Sequence, residues 1–275
     1  MLSHTAWLAS YPKSGNTWVR KLLHTLEAGS ELDLNRLDFG RASETMDQCL
    51  GAPLSDTTDR EALTLLRLSW AMATPTHGDF IRRKTHQAWL ASVDDHSDRW
   101  QPQGARAIYL LRDPRAVAVS WAHHLGCSHS QAVDVMADAQ HQMKPFHLAH
   151  EGYRTSTWSA HVTSWTRLCE LPVLTIRYED LLTEPVAELT AMADFLQIPH
   201  TPERIEQAVD ACTFTMLAAR EITEGFTEAA SHGRVFFRRG EAEAWREELD
   251  PALVHRIEGD HHDVMREFGY LTDSE

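Results

Sequence analysis

The sequence predicts an α/β fold: one three-layer α/β/α domain around a central parallel sheet. Three observations carry this. Short apolar runs alternate with helical patterns along the 275 residues. Two of the junctions read as strand–turn–helix units, near residues 10–16 and 111–114. In the first, "WLASYPKSGNTWVRKLL" (residues 7–23), an apolar run stops at a short loop with one lysine and one glycine, and an amphipathic helix follows. That is the layout of a phosphate-binding strand–loop–helix. The fold is therefore P-loop-like, although the nucleotide-loop spelling G-x-x-x-x-G-K-S/T is missing.

The elements follow in order. "AWLAS" (6–10) suits a buried strand. A helix begins near Asn16, because Trp18, Val19, Leu22, Leu23 and Leu26 recur at helical spacing, and Gly29 can end it. "ALTLLRLSWAMA" (62–73) reads as a second helix, "FIRRKT" (80–85) as a strand and "AIYLL" (107–111) as another. Asp113 is a good N-cap with Pro114 at the first helical position, so a helix opens after Arg112. "PVLTIRY" (172–178) is a further strand, and Pro185, Pro202 and Pro251 each mark a helix start. "TWSAHVTSW" (157–165) has helical spacing and reads mostly as core, its polar residues bordering the site. Residues 126–157 are polar, rich in histidine and lack a strand signal. They read as a partly helical insertion over the site. Strands alternating with helices make the sheet parallel, and ligands of such sheets bind beyond the carboxyl ends of the strands. The loops after Ser10 and Leu111 lie there.

Bulk properties limit the function classes. Residues 1–275 fit a single domain. A formal charge of −14 removes a global basic field, so nucleic acid is a poor partner and an anion site must focus its own charge locally. Cys49, Cys127, Cys169 and Cys212 are spread widely with no C-x-x-C pair, and read as reduced thiols. No signal peptide and no run long enough to span a bilayer is evident, so a cytoplasmic protein is expected.

The loop's chemistry is that of an anion cradle. Gly15 permits a tight turn. The amides of residues 14–18 point at a ligand, the hydroxyls of Ser14 and Thr17 can donate to it, and the Lys13 ammonium reaches the far end of a phosphate chain. By itself the loop is equally an ordinary strand–helix turn with a solvent lysine. Its wording decides the matter. "YPKSGNTW" closely resembles the 5′-phosphosulfate loop of sulfotransferases that use 3′-phosphoadenosine 5′-phosphosulfate (PAPS). "KTH" (84–86), "YLLRDPRAVAVSWAHH" (109–124) and "FRRGEAEAW" (237–245) resemble that family's catalytic strand end, 3′-phosphate strand–helix and closing R-K-G-x-x-G-D-W-K loop, in the family's order. "RYEDLLTEP" (177–185) adds weaker support.

The resemblance implies in-line transfer of a sulfuryl group from PAPS to a hydroxyl or amine of a small-molecule acceptor. The product is 3′,5′-adenosine bisphosphate and no metal is required. Lys13 corresponds to the leaving-group stabiliser and His86 to the general base, a role suited to imidazole because it titrates near neutrality. Lys84 would assist at the transferring oxygens. Ser14, Gly15, Asn16 and Thr17 would hold the 5′ end, and Arg112 and Ser120 the 3′-phosphate. Arg238, Arg239 and Gly240 match the closing loop's phosphate contacts. Trp18 and Phe214 would sandwich the adenine and Tyr178 would hydrogen-bond it.

The chain departs from the family in the closing loop. Glu243 replaces the second glycine, Ala244 the aspartate and Arg246 the lysine, which predicts a more helical, less mobile segment. "HHLGCSH" (123–129) fits no standard zinc spacing and is expected to line the acceptor pocket or its rim. "DHH" (260–262) is expected on a solvated helix face. The wording "ASYPKSGNTWVR" is similar to bacterial sulfotransferases of natural products, while phenols, alcohols, amines and lipids all remain open as acceptors. No match to the dimer motif of animal members is found, so no oligomeric state is assigned. Two other classes stay in view. A Mg²⁺-dependent phosphoryl-transfer enzyme would need a carboxylate pair for its metal. A non-catalytic adenosine bisphosphate-binding module would keep the phosphate residues without His86.

Overall fold

The structure, a computed structural model, describes residues 4–29, 34–35, 80–89, 104–143, 153–229 and 235–272. Cys49, the expected helix at 62–73 and part of the 126–157 segment lie outside these residues. In chain order the elements are β1 (His4–Ser10), α1 (Asn16–Ala28), β2 (Phe80–Thr85), β3 (Arg106–Leu111), α2 (Pro114–Leu125) and α3 (His129–Ala137). There follow β4 (Gln142–Met143), β5 (Tyr153–Arg154), α4 (Trp158–Thr166), β6 (Val173–Arg177), α5 (Tyr178–Thr183), α6 (Pro185–Phe195) and α7 (Pro202–Ala211). The last are α8 (Phe214–Glu224), α9 (Trp245–Glu248), α10 (Pro251–Asp260) and α11 (His262–Glu267).

The main sheet runs β2-β1-β3-β6 with every pairing parallel. Register places Ala9 beside Thr85 and Ser10 beside Leu110, so the carboxyl ends of β1, β2 and β3 lie side by side. Alternation along the strands covers both faces. Leu8, Ile108, Leu110 and Ile176 join one core with Val19 and Leu22 of α1 and Leu189 and Met192 of α6. Ala9, Tyr109 and Leu111 join a second core with Val117 and Trp121 of α2 and Trp158, Val162 and Trp165 of α4. The three-layer expectation holds.

Local chemistry sets the helix starts. Asp113 accepts the Arg115 backbone N–H at 2.8 Å with Pro114 at the first position, and α2 ends at Gly126, φ +72°. Thr201 and Asp250 cap α7 and α10 in the same way, each before a proline.

Three expectations are corrected. The fourth strand of the sheet ends at Arg177; Tyr178 opens α5, whose first turn carries Glu179 and Asp180, charges that favour a helix N-terminus. The 126–157 segment holds α3 and also a short antiparallel ribbon, β4 with β5, although no strand pattern marks it. A two-residue strand is too short to show alternation. His261 is buried, not solvated. It lies at the α10–α11 junction, where Nδ1 sits 2.9 Å from Ser159 Oγ and the ring packs on Trp158.

Asp113 also grips the buried Arg115 guanidinium through two oxygens, at 3.0 and 2.8 Å. Arg115 in turn reaches Glu258 of α10 and the Tyr270 carbonyl oxygen. Asp113→Ala removes a cap and one side of a buried ion pair. Chemical denaturation should show a loss of about 3 kcal/mol, well beyond a cap alone.

Candidate active site

The loop between β1 and α1 has a backbone made for close approach. Lys13 has φ +69° and Gly15 φ +93°. A Cβ on Gly15 would lie 2.7 Å from the Tyr178 ring. No side chain caps the start of α1, and the buried Ser14 hydroxyl and Asn16 Oδ1 have no hydrogen-bond partner. An uncapped helix N-terminus beside buried polar atoms without protein partners has the chemistry to hold an anion. Asn16 turns its amide nitrogen inward, to the Leu8 carbonyl at 3.2 Å and Ser10 Oγ at 3.3 Å. Toward a ligand it offers its backbone N–H.

His86 follows β2 directly. Its Nδ1 lies 2.9 Å from the Ser10 carbonyl oxygen and 3.1 Å from Ser10 Oγ. A carbonyl only accepts, so Nδ1 carries the proton and Nε2 keeps its lone pair. Burial, aided by the Lys84 charge, holds the imidazole well below its ordinary pKa. It does not titrate near neutrality; it stays neutral throughout that range. Burial also lowers Lys13, with help from Arg112 and Lys84, to about 7. The Lys13 ammonium lies 4.2 Å above the Phe236 ring.

Arg112 stacks 4.1 Å over Tyr178, donates to the Lys13 carbonyl oxygen at 2.9 Å and leaves a buried Nε without a partner. Ser120 is half-buried about two turns along α2. Trp18 donates Nε1–H to the Cys212 carbonyl oxygen at 2.8 Å and meets Tyr178 edge-on. Phe214, half-buried, packs against Gly240, where a Cβ would come within 2.3 Å of its ring. Lys13, His86, Lys84, Arg112, Trp18, Tyr178, Phe214 and Gly240 thus gather at one end of the sheet. Arg238 and Arg239 are engaged elsewhere. Arg238 pairs with Glu248, and Arg239 with Glu247 and Glu248 at 3.0 Å each. The altered closing loop does carry a short helix, α9, and its carboxylates hold both arginines.

Several residues of the site escaped the sequence reading. Glu228 accepts from Thr17 Oγ1 at 3.3 Å and from Arg20 at 3.0 and 2.6 Å, with Lys84 Nζ 3.6 Å away. Nothing local marks it among forty acidic residues. Glu221 accepts the backbone N–H groups of Phe236 and Phe237 at 2.5 and 2.8 Å, fixing the closing segment. It continues the apolar stripe Phe214–Leu217–Ala218, an anomaly that could have flagged it. His123 and His124, which the sequence reading did place at the acceptor pocket or its rim, reach the same segment: His123 Nε2 lies 3.1 Å from the Val235 carbonyl oxygen, and His124 meets Phe236 edge-on. Among the described residues, no cluster of three or more His, Cys, Asp or Glu is arranged to hold a metal.

Residues 3–269 match the sulfotransferase domain family, and the chain belongs to it. Membership makes the protein a PAPS-dependent sulfotransferase. It is 23% identical to a flavonol 3-sulfotransferase of Flaveria bidentis, over 92% of this chain and 78% of the relative. It is 24% identical to cytosolic sulfotransferase 1 of Arabidopsis thaliana, over 91% and 75%. Among solved structures, a mouse sulfotransferase complexed with PAP shares the fold with TM-score 0.62 at 16% identity, covering 98% of this chain and 86% of that one. A retinol dehydratase in a complex with retinol and PAP gives 0.61 at 21% identity, over 96% and 82%. Among the described residues no helix is long and apolar enough to cross a membrane.

Gly240 combines φ +67° with the Phe214 contact. Gly240→Ala should weaken binding of adenosine 3′,5′-bisphosphate by about tenfold or more in calorimetry, because strain of about 1–3 kcal/mol falls on the closing segment.

Proposed function

We propose that the chain transfers the sulfuryl group of PAPS to a hydroxyl or amine of a small-molecule acceptor, with His86 as general base and Lys13 stabilising the leaving group. PAPS, when bound, supplies the activated sulfuryl group and a departing phosphate oxygen on which charge builds. Ser14, the first amides of α1 and Thr17 would hold its 5′ end. Arg112 and Ser120 would hold the 3′-phosphate, with Arg238, Arg239 and Gly240 closing over it. Trp18, Tyr178 and Phe214 would receive the adenine. Lys84 would steady the transferring oxygens. A cytoplasmic setting suits this reading, as in the plant relatives named cytosolic sulfotransferases.

One observation carries the catalytic assignment. Ser10 receives the Asn16 amide from the loop and His86 Nδ1 from the neighbouring strand. The candidate base and the candidate donor cradle are therefore fixed to one residue. His86 Nε2 is left as a lone pair that can take the acceptor's proton as the bond to sulfur forms. A fixed geometry of this kind supplies orientation, and Lys13 supplies charge where it develops.

His86→Ala should lower turnover by about a hundredfold to ten-thousandfold while affinity for adenosine bisphosphate is largely retained. No transfer from labelled PAPS to any of a broad hydroxyl and amine panel, despite tight nucleotide binding, would overturn the assignment.

The depressed pKa of Lys13 has a measurable sign. Below pH about 7 the free protein already holds this proton; above it, Lys13 is mostly neutral and an arriving anion restores the charge. Adenosine bisphosphate binding should take up a proton above pH 7, and its affinity should fall as pH rises. Calorimetry in buffers of different ionisation enthalpy reads both. The acid limb of kcat/KM should lie well below 6.5, since His86 loses its lone pair only there.

A further inference from the structure

We propose that α4 is a positioning clamp for the general base: His161, Ser164 and Trp165 hold the backbone that carries His86, and Tyr109 locks His161 in the tautomer the clamp requires. The inference rests on the reading of His86 as the base.

The β1–β2 ladder ends at Thr85, so the sheet register stops one residue before the imidazole. Residues 86–89 need other partners, and α4 supplies most of them from a single face, at positions i, i+3 and i+4. His161 Nε2 lies 3.2 Å from the His86 carbonyl oxygen. Trp165 donates Nε1–H to the Gln87 carbonyl oxygen at 2.9 Å. Ser164 Oγ accepts the Trp89 backbone N–H at 2.9 Å and donates to the His161 carbonyl oxygen at 2.7 Å. Between them, the Ala88 N–H donates to the Arg154 carbonyl oxygen at 2.8 Å. Each of four consecutive residues is thereby held by its main chain.

The tautomer follows from the partners. The His86 carbonyl can only accept, so His161 Nε2 carries the proton and Nδ1 has the lone pair. Tyr109 Oη lies 2.9 Å from that Nδ1 and must donate to it. Burial keeps both groups neutral, the phenol pushed up and the imidazole pushed down to about 3. His161, Tyr109 and Ser164 are fully buried. The chain Tyr109 O–H to His161, then His161 N–H to His86, has one polarity. The ring that receives the acceptor's proton is consequently fixed from two sides: Ser10 at its Nδ1 and α4 at its main chain.

The test uses the full chain, with turnover expressed per nucleotide-binding site titrated with adenosine bisphosphate. His161→Leu removes the donor; His161→Gln keeps an amide N–H that reaches the Nε2 position. Leu should lower kcat by about thirtyfold or more with nucleotide affinity within about threefold, and Gln should recover most of the loss. Tyr109→Phe and Trp165→Phe, each removing one hydrogen-bonding group, should lower kcat by about threefold to tenfold and carry the test if Leu does not fold. The acid limb of kcat/KM should move toward neutrality in His161→Leu. The imidazole of His86 is faced by Lys84 from β2, Arg20 from α1 and His161 from α4. A loosened ring gains water while the Lys84 and Arg20 charges stay. Nitrogen-15 NMR of the wild-type chain should show His161 protonated at Nε2, a readout independent of turnover.

Variants that melt earlier yet keep kcat per site and the acid limb would make the contacts merely structural and overturn the clamp. So would a Gln variant as impaired as Leu, or a His161 protonated at Nδ1. If His86→Ala retains full turnover, the assignment of the base fails instead, whatever the NMR shows.

Discussion

Concentrating cations at one end of a parallel sheet, in a chain of net charge −14, is the constraint on which the rest of the site depends. Lys13, Arg20, Lys84 and Arg112 converge there, and like charges so close must be offset. The structure shows how. Glu228 takes Arg20 and Thr17 and lies beside Lys84. The Phe236 and Tyr178 rings lie against Lys13 and Arg112. Glu247 and Glu248 hold the arginines of the closing loop. Burial then does the remainder, lowering Lys13 until it can shed its proton near neutrality. An incoming anion therefore competes with carboxylates that lie beside these cations.

The same end of the sheet solves a second problem, that of aim. The candidate base and the candidate anion cradle lie on different strands and must be kept in register. Parallel pairing brings Ser10 next to the end of β2, and Ser10 binds both the loop asparagine and the histidine ring. Neither bond needs a metal or a long side chain. Each is made between groups whose donor and acceptor roles are fixed by chemistry.

Much of this was legible. The strand–loop–helix at residues 7–23, the Asp113–Pro114 helix start and the proline starts at 185, 202 and 251 all stand where local rules put them. Motif wording brought together Lys13, His86, Arg112 and Gly240 from four distant segments. Errors came where a residue's fate depends on something remote. Tyr178 continues an apolar run yet turns into a helix whose ring fills the space beside Gly15. His261 sits among polar neighbours yet points into Trp158. The pairing of Arg238 and Arg239 with glutamates of α9 is likewise not marked by any local pattern.

The sequence by itself determined the fold class, the helix starts marked by a cap or a proline, and the family, because periodicity, capping and loop chemistry act over a few residues. The third dimension decided the protonation states and the supporting shell. Arg20, Glu221 and His161 interrupt apolar stripes, which hints that each is buried with a partner, but a stripe cannot say with whom. Their partners lie from about fifteen to more than two hundred residues away. Charge interactions and desolvation depend on distance in space and on what excludes water, and neither quantity is written along the chain.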